Sequence, residues 1–186
     1  MKILIISDCA RSGKDTLAEI WRDEFGLTFK SSSYAAAEIF IFDRLKDEYG
    51  YKTIEECFQG RLDPAMRVVW HDLICEYNKD DKARLAKDIL KKNDCYVGMR
   101  SIEEIEECLR QKIFDVVIFV DAGNRVEKES KKSNQVTKDH AHIVVMNDTD
   151  LETFRTKAIY AGSVIFTKTL RSRFRRLVNK MLNIWW

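Results

Sequence analysis

Short apolar runs alternate with longer stretches of helical periodicity along the chain. The strand candidates are Lys2–Ser7, Thr28–Ser32, Cys95–Met99, Val116–Asp121 and His142–Met146. Most of them are continuously apolar instead of alternating in polarity, the pattern of parallel strands covered on both faces. Helical spacing follows the first run, at Leu17, Ala18, Ile20 and Trp21. Later helices carry start signals. Asp63-Pro64 offers a cap followed by proline at the first helical position. Ser101-x-x-Glu104 and Thr149-x-x-Glu152 read as capping boxes. Strands separated by helices predict a doubly wound α/β fold with a five-stranded parallel sheet, its ligands at the carboxyl ends of the strands.

Two intervals break this rhythm. Between the second strand and Cys95 the chain reads as a succession of helices, around Tyr34–Tyr49, Thr53–Phe58, Pro64–Tyr77 and Lys82–Lys91. One crossover helix would suffice to join parallel strands, so residues 34–92 are predicted to form an inserted helical lobe. The second interval, Ala122–Lys138, is polar and rich in Lys, Ser and Asn. A stretch of this length without its own periodicity is commonly a lid or a binding loop.

Composition narrows the class. The 186 residues suffice for one well-buried core, and 45% hydrophobic with 33% charged residues is ordinary for a globular protein. One proline and seven glycines exclude a flexible linker or a low-complexity segment. The five cysteines are scattered and never spaced C-x-x-C, which argues for free thiols in a reducing cytoplasm and against a disulfide frame or zinc knuckle. His140 and His142 precede a strand-like run with no partner cysteine nearby, as surface or edge histidines do. The first strand begins at the initiator methionine and is too short for a signal peptide or membrane span, so a cytoplasmic protein is expected.

The net charge of +2 is unremarkable as a total, but its distribution is not. Lys168, Arg171, Arg173, Arg175, Arg176 and Lys180 follow Phe166 without any acid. Leu170, Phe174, Leu177, Val178, Met181, Leu182 and Trp185 fall at helical spacing through the same stretch. Residues 166–186 are therefore predicted to form a basic amphipathic C-terminal helix, set apart from a core spanning 1–165. Docking on the body with the basic face solvated is the leading expectation. Contact with nucleic acid, an acidic partner or a membrane surface is the alternative.

The chemistry-bearing motif is Ala10-Arg11-Ser12-Gly13-Lys14-Asp15-Thr16, between the first strand and a helix. That order suits a nucleoside-triphosphate site: loop amides and the helix N-terminus face the phosphates, and a lysine adds mobile positive charge. The pattern departs from G-x-x-x-x-G-K-[ST] at two places. Asp8 stands at the first glycine, and Asp15 replaces the hydroxyl residue, with Thr16 one place later. A plain strand-to-helix turn is the competing explanation. In the phosphate-loop reading, Lys14 bridges the β- and γ-phosphates of ATP, and the amides of Ser12 to Thr16 cradle the β-phosphate. Asp15 and Thr16 are placed to hold Mg²⁺, although both residues are also favoured at any helix N-terminus.

A phosphate loop after the first strand, with the two insertions, resembles the nucleoside monophosphate kinases. The deoxynucleoside monophosphate kinases of tailed bacteriophages are more similar still. Their loop reads Arg-Ser-Gly-Lys-Asp-Thr, as Arg11–Thr16 does, and an arginine follows the third strand, as Arg100 does here. The resemblance implies a three-layer P-loop kinase fold, in which the 34–92 lobe binds the acceptor nucleotide and 122–138 closes as a lid over the donor. It implies phosphoryl transfer from ATP to a (deoxy)nucleoside monophosphate, in the host cytoplasm if the source is a phage. It also implies that Asn147, at the end of the fifth strand, touches the donor adenine; a turn cap explains Asn147 equally well. No carboxylate ends the third strand, so the metal-organising acid must come from Asp15 or, second, Asp121.

For the acceptor, cations are needed for the phosphate and an aromatic or polar edge for the base. Ser33 and Tyr34 follow the second strand. Arg67 and Trp70, three apart, share a helix face, and Arg100 leaves the third strand. Arg67 and Arg100 are assigned to the acceptor phosphate, with Tyr34 and Trp70 lining the base or sugar. Arg61 and Arg84 are the substitutes. Core packing for Trp70 and a solvated face for Arg67 are the competing explanations. Arg125 lies at the start of the lid, within reach of the transferring phosphate on closure, while Lys128, Lys131 and Lys132 are expected to be solvated. The partner is a small-molecule nucleotide. A homodimer is compatible with the sequence, nucleic acid through the basic tail is not favoured, and no membrane span is expected. Two other functions stay open: a kinase acting on a hydroxyl, such as a modified base in DNA or dephospho-coenzyme A, with Asp8 as base, and a nucleotide-binding regulator without turnover.

Overall fold

The computed structural model describes residues 1–127 and 135–182, with side chains described as far as 167. At the centre is β1 (Ile3–Ile6), whose four residues are all fully buried. It pairs in parallel with β3 (Cys95–Val97) on one side and β4 (Val116–Asp121) on the other. Outside these lie β2 (Phe29–Ser31) and β5 (Ile143–Met146), giving a five-stranded, all-parallel sheet in the order β2-β3-β1-β4-β5. The α/β class and the strands read from the sequence hold, each shortened by a residue or two at its ends or unchanged.

The unbroken apolar character of β1 follows from its two covered faces. Leu4 and Ile6 point into one core with Tyr96, Val117 and Phe119, and Ile3 and Ile5 into another with Leu17, Trp21, Phe154 and Ala158. Each such side chain contributes about 1.5–3 kcal/mol on full burial. The second core is closed by α1 (Lys14–Phe25) and α8 (Leu151–Leu182), which contact each other closely. Trp21 Nε1 donates to the Ala158 carbonyl at 2.8 Å, and Phe166 meets Trp21 edge-on and lies tilted over Phe25. Phe154 lies near the start of α1 and Phe166 near its end, so the two helices run parallel. The helix carries on through position 166 to Leu182 without interruption.

Between β2 and β3 the chain forms α2 (Ser32–Ala36), a π-helical turn (Ala37–Ile41), α3 (Phe42–Tyr49), α4 (Ile54–Gly60), α5 (Pro64–Tyr77) and α6 (Arg84–Leu90). The helix expected over Tyr34–Tyr49 is thus continuous but contains a π turn. Its five-residue step places Ala36 and Ile41, both fully buried, in one line. Asp63 caps α5 as expected, accepting from the Ala65 amide at 2.8 Å.

Two capping boxes differ from expectation. At α7 (Ile102–Arg110), Ser101 Oγ accepts from the Glu104 amide, but the Glu104 carboxylate accepts from Asn78 Nδ2 at 2.8 Å instead of returning to the cap. Asn78 is buried, and its amide needs that partner. At α8 the cap is Asp150, not Thr149: its carboxylate accepts from the Thr153 amide and hydroxyl at 2.9 and 2.8 Å. A carboxylate next to the first turn also gains from the helix dipole, which a threonine one residue earlier does not. His142 sits at the β4 edge, where its Nδ1 accepts from the Val117 amide. The five cysteines are free thiols, with Cys75 the exposed one.

α1 and α8 pack tightly at Gly162, where a β-carbon would overlap Phe25 and come within 2.9 Å of Trp21 Nε1. Helix propensity alone favours alanine over glycine by about 1 kcal/mol. Here the sign reverses: Gly162→Ala is expected to destabilise the fold by about 1–3 kcal/mol, because the overlap outweighs the propensity gain. Urea unfolding checks this through a lower midpoint at unchanged slope.

Candidate active site

The loop from Asp8 to Gly13 joins the carboxyl end of β1 to α1. Ser7 Oγ donates to the Cys9 carbonyl at 2.9 Å, turning the chain at once after the strand. Arg11 and Gly13 both have positive φ, 57° and 95°. Gly13 is the N-cap of α1 and receives no side-chain cap, and the first helical bond runs from the Leu17 amide to the Gly13 carbonyl at 2.8 Å. The amides of Lys14, Asp15 and Thr16 therefore point out of the helix end, toward the space an anion would fill. The loop's carbonyls are held on its other side. Asn147 Nδ2 donates to the Ser12 carbonyl at 2.7 Å. Arg125 Nε donates to the Asn147 carbonyl at 3.0 Å, and its Nη2 donates to the Arg11 and Ser12 carbonyls at 3.2 and 3.4 Å.

Lys14 is mostly shielded, its side chain 14% exposed, with Nζ 3.6 Å from the Asp15 carboxylate. Its stem passes Gly98, which follows β3 at φ 95°; a β-carbon there would be 3.4 Å from Lys14 Cε and from Ser32 Oγ. Ser32 Oγ in turn donates to the Gly98 carbonyl at 3.2 Å. Lys14 lines a crevice with Ser7, Cys9, Gly98, Met99 and Arg100. Asp8 is half-buried at the loop's beginning, Asp15 is exposed and Thr16 is half-buried on the first turn of α1.

Arg100, after β3, lines this crevice, and Arg61, after α4, is within electrostatic reach of Arg100 and of Arg67 on α5. Burial is the first cause that holds the Arg61 guanidinium below its usual pKa. The positive charges of Arg67 and Arg100 push it further down, while Asp15 acts in the opposite direction. Arg61 stacks on Phe58 at 4.3 Å, and its Nε is buried without a hydrogen-bond partner. Phe58 meets Tyr34 edge-on at 5.1 Å and Trp70 at 6.4 Å. Tyr34 is half-buried with Lys30 Nζ 4.7 Å over its ring, whereas Trp70 is 4% exposed within the core, its indole N–H unpartnered among the described residues.

The residues singled out in the sequence are thus distributed unevenly. Lys14 and Arg100 line one crevice, Arg67 lies within electrostatic reach of Arg61, and Ser33 and Tyr34 open the lobe. Trp70 lies behind Phe58, in the core. Arg84 is elsewhere, stacked on Tyr77 at 4.1 Å. Asp121 caps a turn by accepting from the Gly123 amide at 2.9 Å, and Asp94, at the opposite end of β3, accepts from Thr28 Oγ1 at 2.7 Å. Lys128, Lys131 and Lys132 lie outside the described residues. Arg61, ranked only as a substitute, and Phe58, which was not singled out, are brought to the centre. Their spacing of three at the end of a helix was the available signal.

Among the described residues no cluster of three or more His, Cys, Asp or Glu side chains is arranged to hold a metal. A cation binding through one or two protein oxygens, phosphate oxygens and water still fits, and Asp15 and Thr16 are hard donors placed for that.

No family model and no curated protein sequence matches the chain. Among solved structures, it is similar to a shikimate kinase from Aquifex aeolicus, with 15% identity, a TM-score of 0.44, and coverage of 86% of this chain and 95% of that one. A gluconokinase from Sinorhizobium meliloti gives 11% identity and a TM-score of 0.48, covering 92% and 96%. A shikimate kinase from Acinetobacter baumannii, in complex with shikimate, gives 12% and 0.47, covering 91% and 96%.

Removing the Asn147 amide tests the loop's support. Asn147→Ala is expected to cost about 1–2 kcal/mol of stability. It is also expected to weaken binding of a non-hydrolysable ATP analogue by about tenfold, because loop amides that are no longer held inward lose preorganisation. Calorimetric titration measures the second effect, and unchanged affinity would remove Asn147 from the site's architecture.

Proposed function

We propose that the protein is an ATP-dependent kinase that phosphorylates a small acceptor carrying its own phosphate, of the (deoxy)nucleoside monophosphate class. The observation that carries this reading is Arg61 within electrostatic reach of Arg67 and of Arg100, which lines one crevice with Lys14. The Arg61 guanidinium is held down first by its burial and then by the charges of Arg67 and Arg100, and a dianionic phosphate would relieve that repulsion. A neutral hydroxyl would not. Guanidinium forks also match phosphate oxygens in bidentate fashion. Tyr34 and Phe58 supply an aromatic edge next to the arginines, suited to a base or sugar.

Phosphoryl transfer asks mainly for positioning and charge neutralisation. The amides of Lys14, Asp15 and Thr16 would hold the β-phosphate, and Lys14 would bridge to the γ-phosphate. An oxygen of the acceptor phosphate bonds to the γ-phosphorus as its bond to the β,γ-bridging oxygen breaks, giving ADP and the acceptor diphosphate. Thr16 and Asp15 would hold Mg²⁺, which supplies neutralisation of charge on the phosphates when bound. Arg125 is assigned a positioning role in this scheme, since its donors are engaged by three backbone carbonyls.

Lys14→Ala is expected to lower kcat by about three powers of ten or more with the fold intact, as loss of a charge-stabilising group does in phosphoryl transfer. Near-normal turnover in a coupled ADP-release assay would reject the assigned site.

A panel of mononucleotides, nucleosides and DNA, each incubated with labelled ATP, tests the acceptor. Turnover is expected with mononucleotides. Arg61→Ala, Arg67→Ala and Arg100→Ala should each raise the acceptor KM by about tenfold or more while changing the ATP KM little. Phosphorylation of nucleosides or DNA only, abolished by Asp8→Gly, would move the acceptor to a hydroxyl with Asp8 as its base. ATP binding without turnover on any acceptor would favour a regulator.

A further inference from the structure

Asp15 stands between cations that belong to two different sides of the site. Its carboxylate lies 3.6 Å from Lys14 Nζ, and Lys14 lines the crevice together with Arg100. It is also within electrostatic reach of Arg61: burial, Arg67 and Arg100 hold that guanidinium down, and Asp15 acts against them. One carboxylate therefore serves as counter-charge to Lys14 on the donor side and to Arg61 on the acceptor side. The 3.6 Å separation from Lys14 is too long for a hydrogen bond, and the Asp15 side chain is 57% exposed. Such a contact is an ion pair that a stronger competitor displaces. Lys14 is shielded by comparison, so Asp15 is the partner that can turn away.

Both substrates of the proposed reaction are anions, and Asp15 opposes each of them. A donor phosphate must take its place at Lys14, and an acceptor phosphate meets its charge near Arg61 and Arg100. The two encounters are not equivalent. The Asp15 carboxylate is a hard oxygen donor on the first turn of α1, placed for the cation that accompanies the donor phosphates. Once engaged there, its charge no longer opposes the acceptor. Donor binding thus removes an obstacle to the acceptor, although two anions brought side by side would otherwise repel.

We propose that Asp15 is a charge gate, which keeps the acceptor phosphate from Arg61 and Arg100 until the donor and its cation have taken the carboxylate over. This inference rests on the kinase reading above. It also gives the position after the lysine, where serine or threonine is usual, a reason to carry a carboxylate. A hydroxyl could bind the same cation but would oppose no anion. The result is positive coupling between two anionic ligands, each tightening the other by the same factor.

Calorimetric titration with the four 2′-deoxynucleoside 5′-monophosphates tests this, with and without the magnesium complex of the non-hydrolysable donor AMP-PNP. In the wild-type chain the best-bound mononucleotide should bind about tenfold tighter when the donor analogue is present. With neither donor nor metal, Asp15→Asn should bind it about tenfold tighter than wild type, because one charge facing a dianion is gone. The donor analogue should then add less than about twofold. Asp15→Glu keeps the charge and should keep the low affinity of the free protein. Glu19→Gln, at an exposed position one turn further along α1, controls for a general loss of negative charge and should change neither quantity. Circular dichroism checks that each variant is folded. Equal mononucleotide affinity in the free wild-type and Asp15→Asn chains would overturn the gate. So would an equal gain from Glu19→Gln, or coupling that is absent in wild type or persists in Asp15→Asn. If no mononucleotide binds either chain, with or without the donor analogue, the acceptor reading itself is rejected and the gate with it.

Discussion

The carbonyl of Ser12 is the point on which the site turns. It is drawn to one side by Asn147 Nδ2 at 2.7 Å, with Arg125 Nη2 at 3.4 Å as a second donor. A peptide whose oxygen is fixed on one side presents its N–H on the other, so these bonds decide where the loop's donors face. The backbone accepts a cost for this arrangement. Arg11 adopts a left-handed conformation that is about 1–2 kcal/mol unfavourable for a residue with a side chain. Gly13 must lack a β-carbon, which would overlap Asn147. The end of β5, the residues after β4 and the loop between β1 and α1 are consequently one mechanical unit.

One cation near the loop is held at an electrostatic disadvantage. Arg61 is half-buried, stacked on Phe58 and depressed by its arginine neighbours, with Asp15 as the compensating acid. In the proposed function that repulsion is what a bound phosphate would relieve. The acids near the loop differ: Asp15 lies 3.6 Å from Lys14 Nζ, whereas Asp8 is half-buried at the loop's beginning.

The sheet was legible because β1 and β4 must be apolar on both faces, and that leaves unbroken runs such as Ile3–Ile6. The helical interval was legible through caps like Asp63-Pro64. The candidate phosphate loop could be proposed from the sequence because its residues are contiguous. What lay hidden was assembled across distance. Arg61, Arg67 and Arg100 come from three elements, and no local spacing brings them together. Arg125 looked like a lid residue because the sequence cannot show that its Nη2 meets the carbonyls of Arg11 and Ser12, more than a hundred positions earlier. Trp70 was weighed as a ligand contact against core packing, and it is buried in the core, edge-on to Phe58.

The central strand has a further consequence for how the chain reaches its native state. β1 is made first, yet both of its neighbours, β3 and β4, come from far down the sequence, with Ile3 opposite Cys95 and Val116. During synthesis, four strongly apolar residues and the loop that follows them therefore wait without a sheet while the whole helical lobe is completed. Loop closure of this span precedes any reward from strand pairing, which places the protein among slow-forming, high-contact-order topologies. Until β4 emerges, Ile3–Ile6 is an unpaired strand edge, and the nascent chain is most exposed to aggregation in that interval.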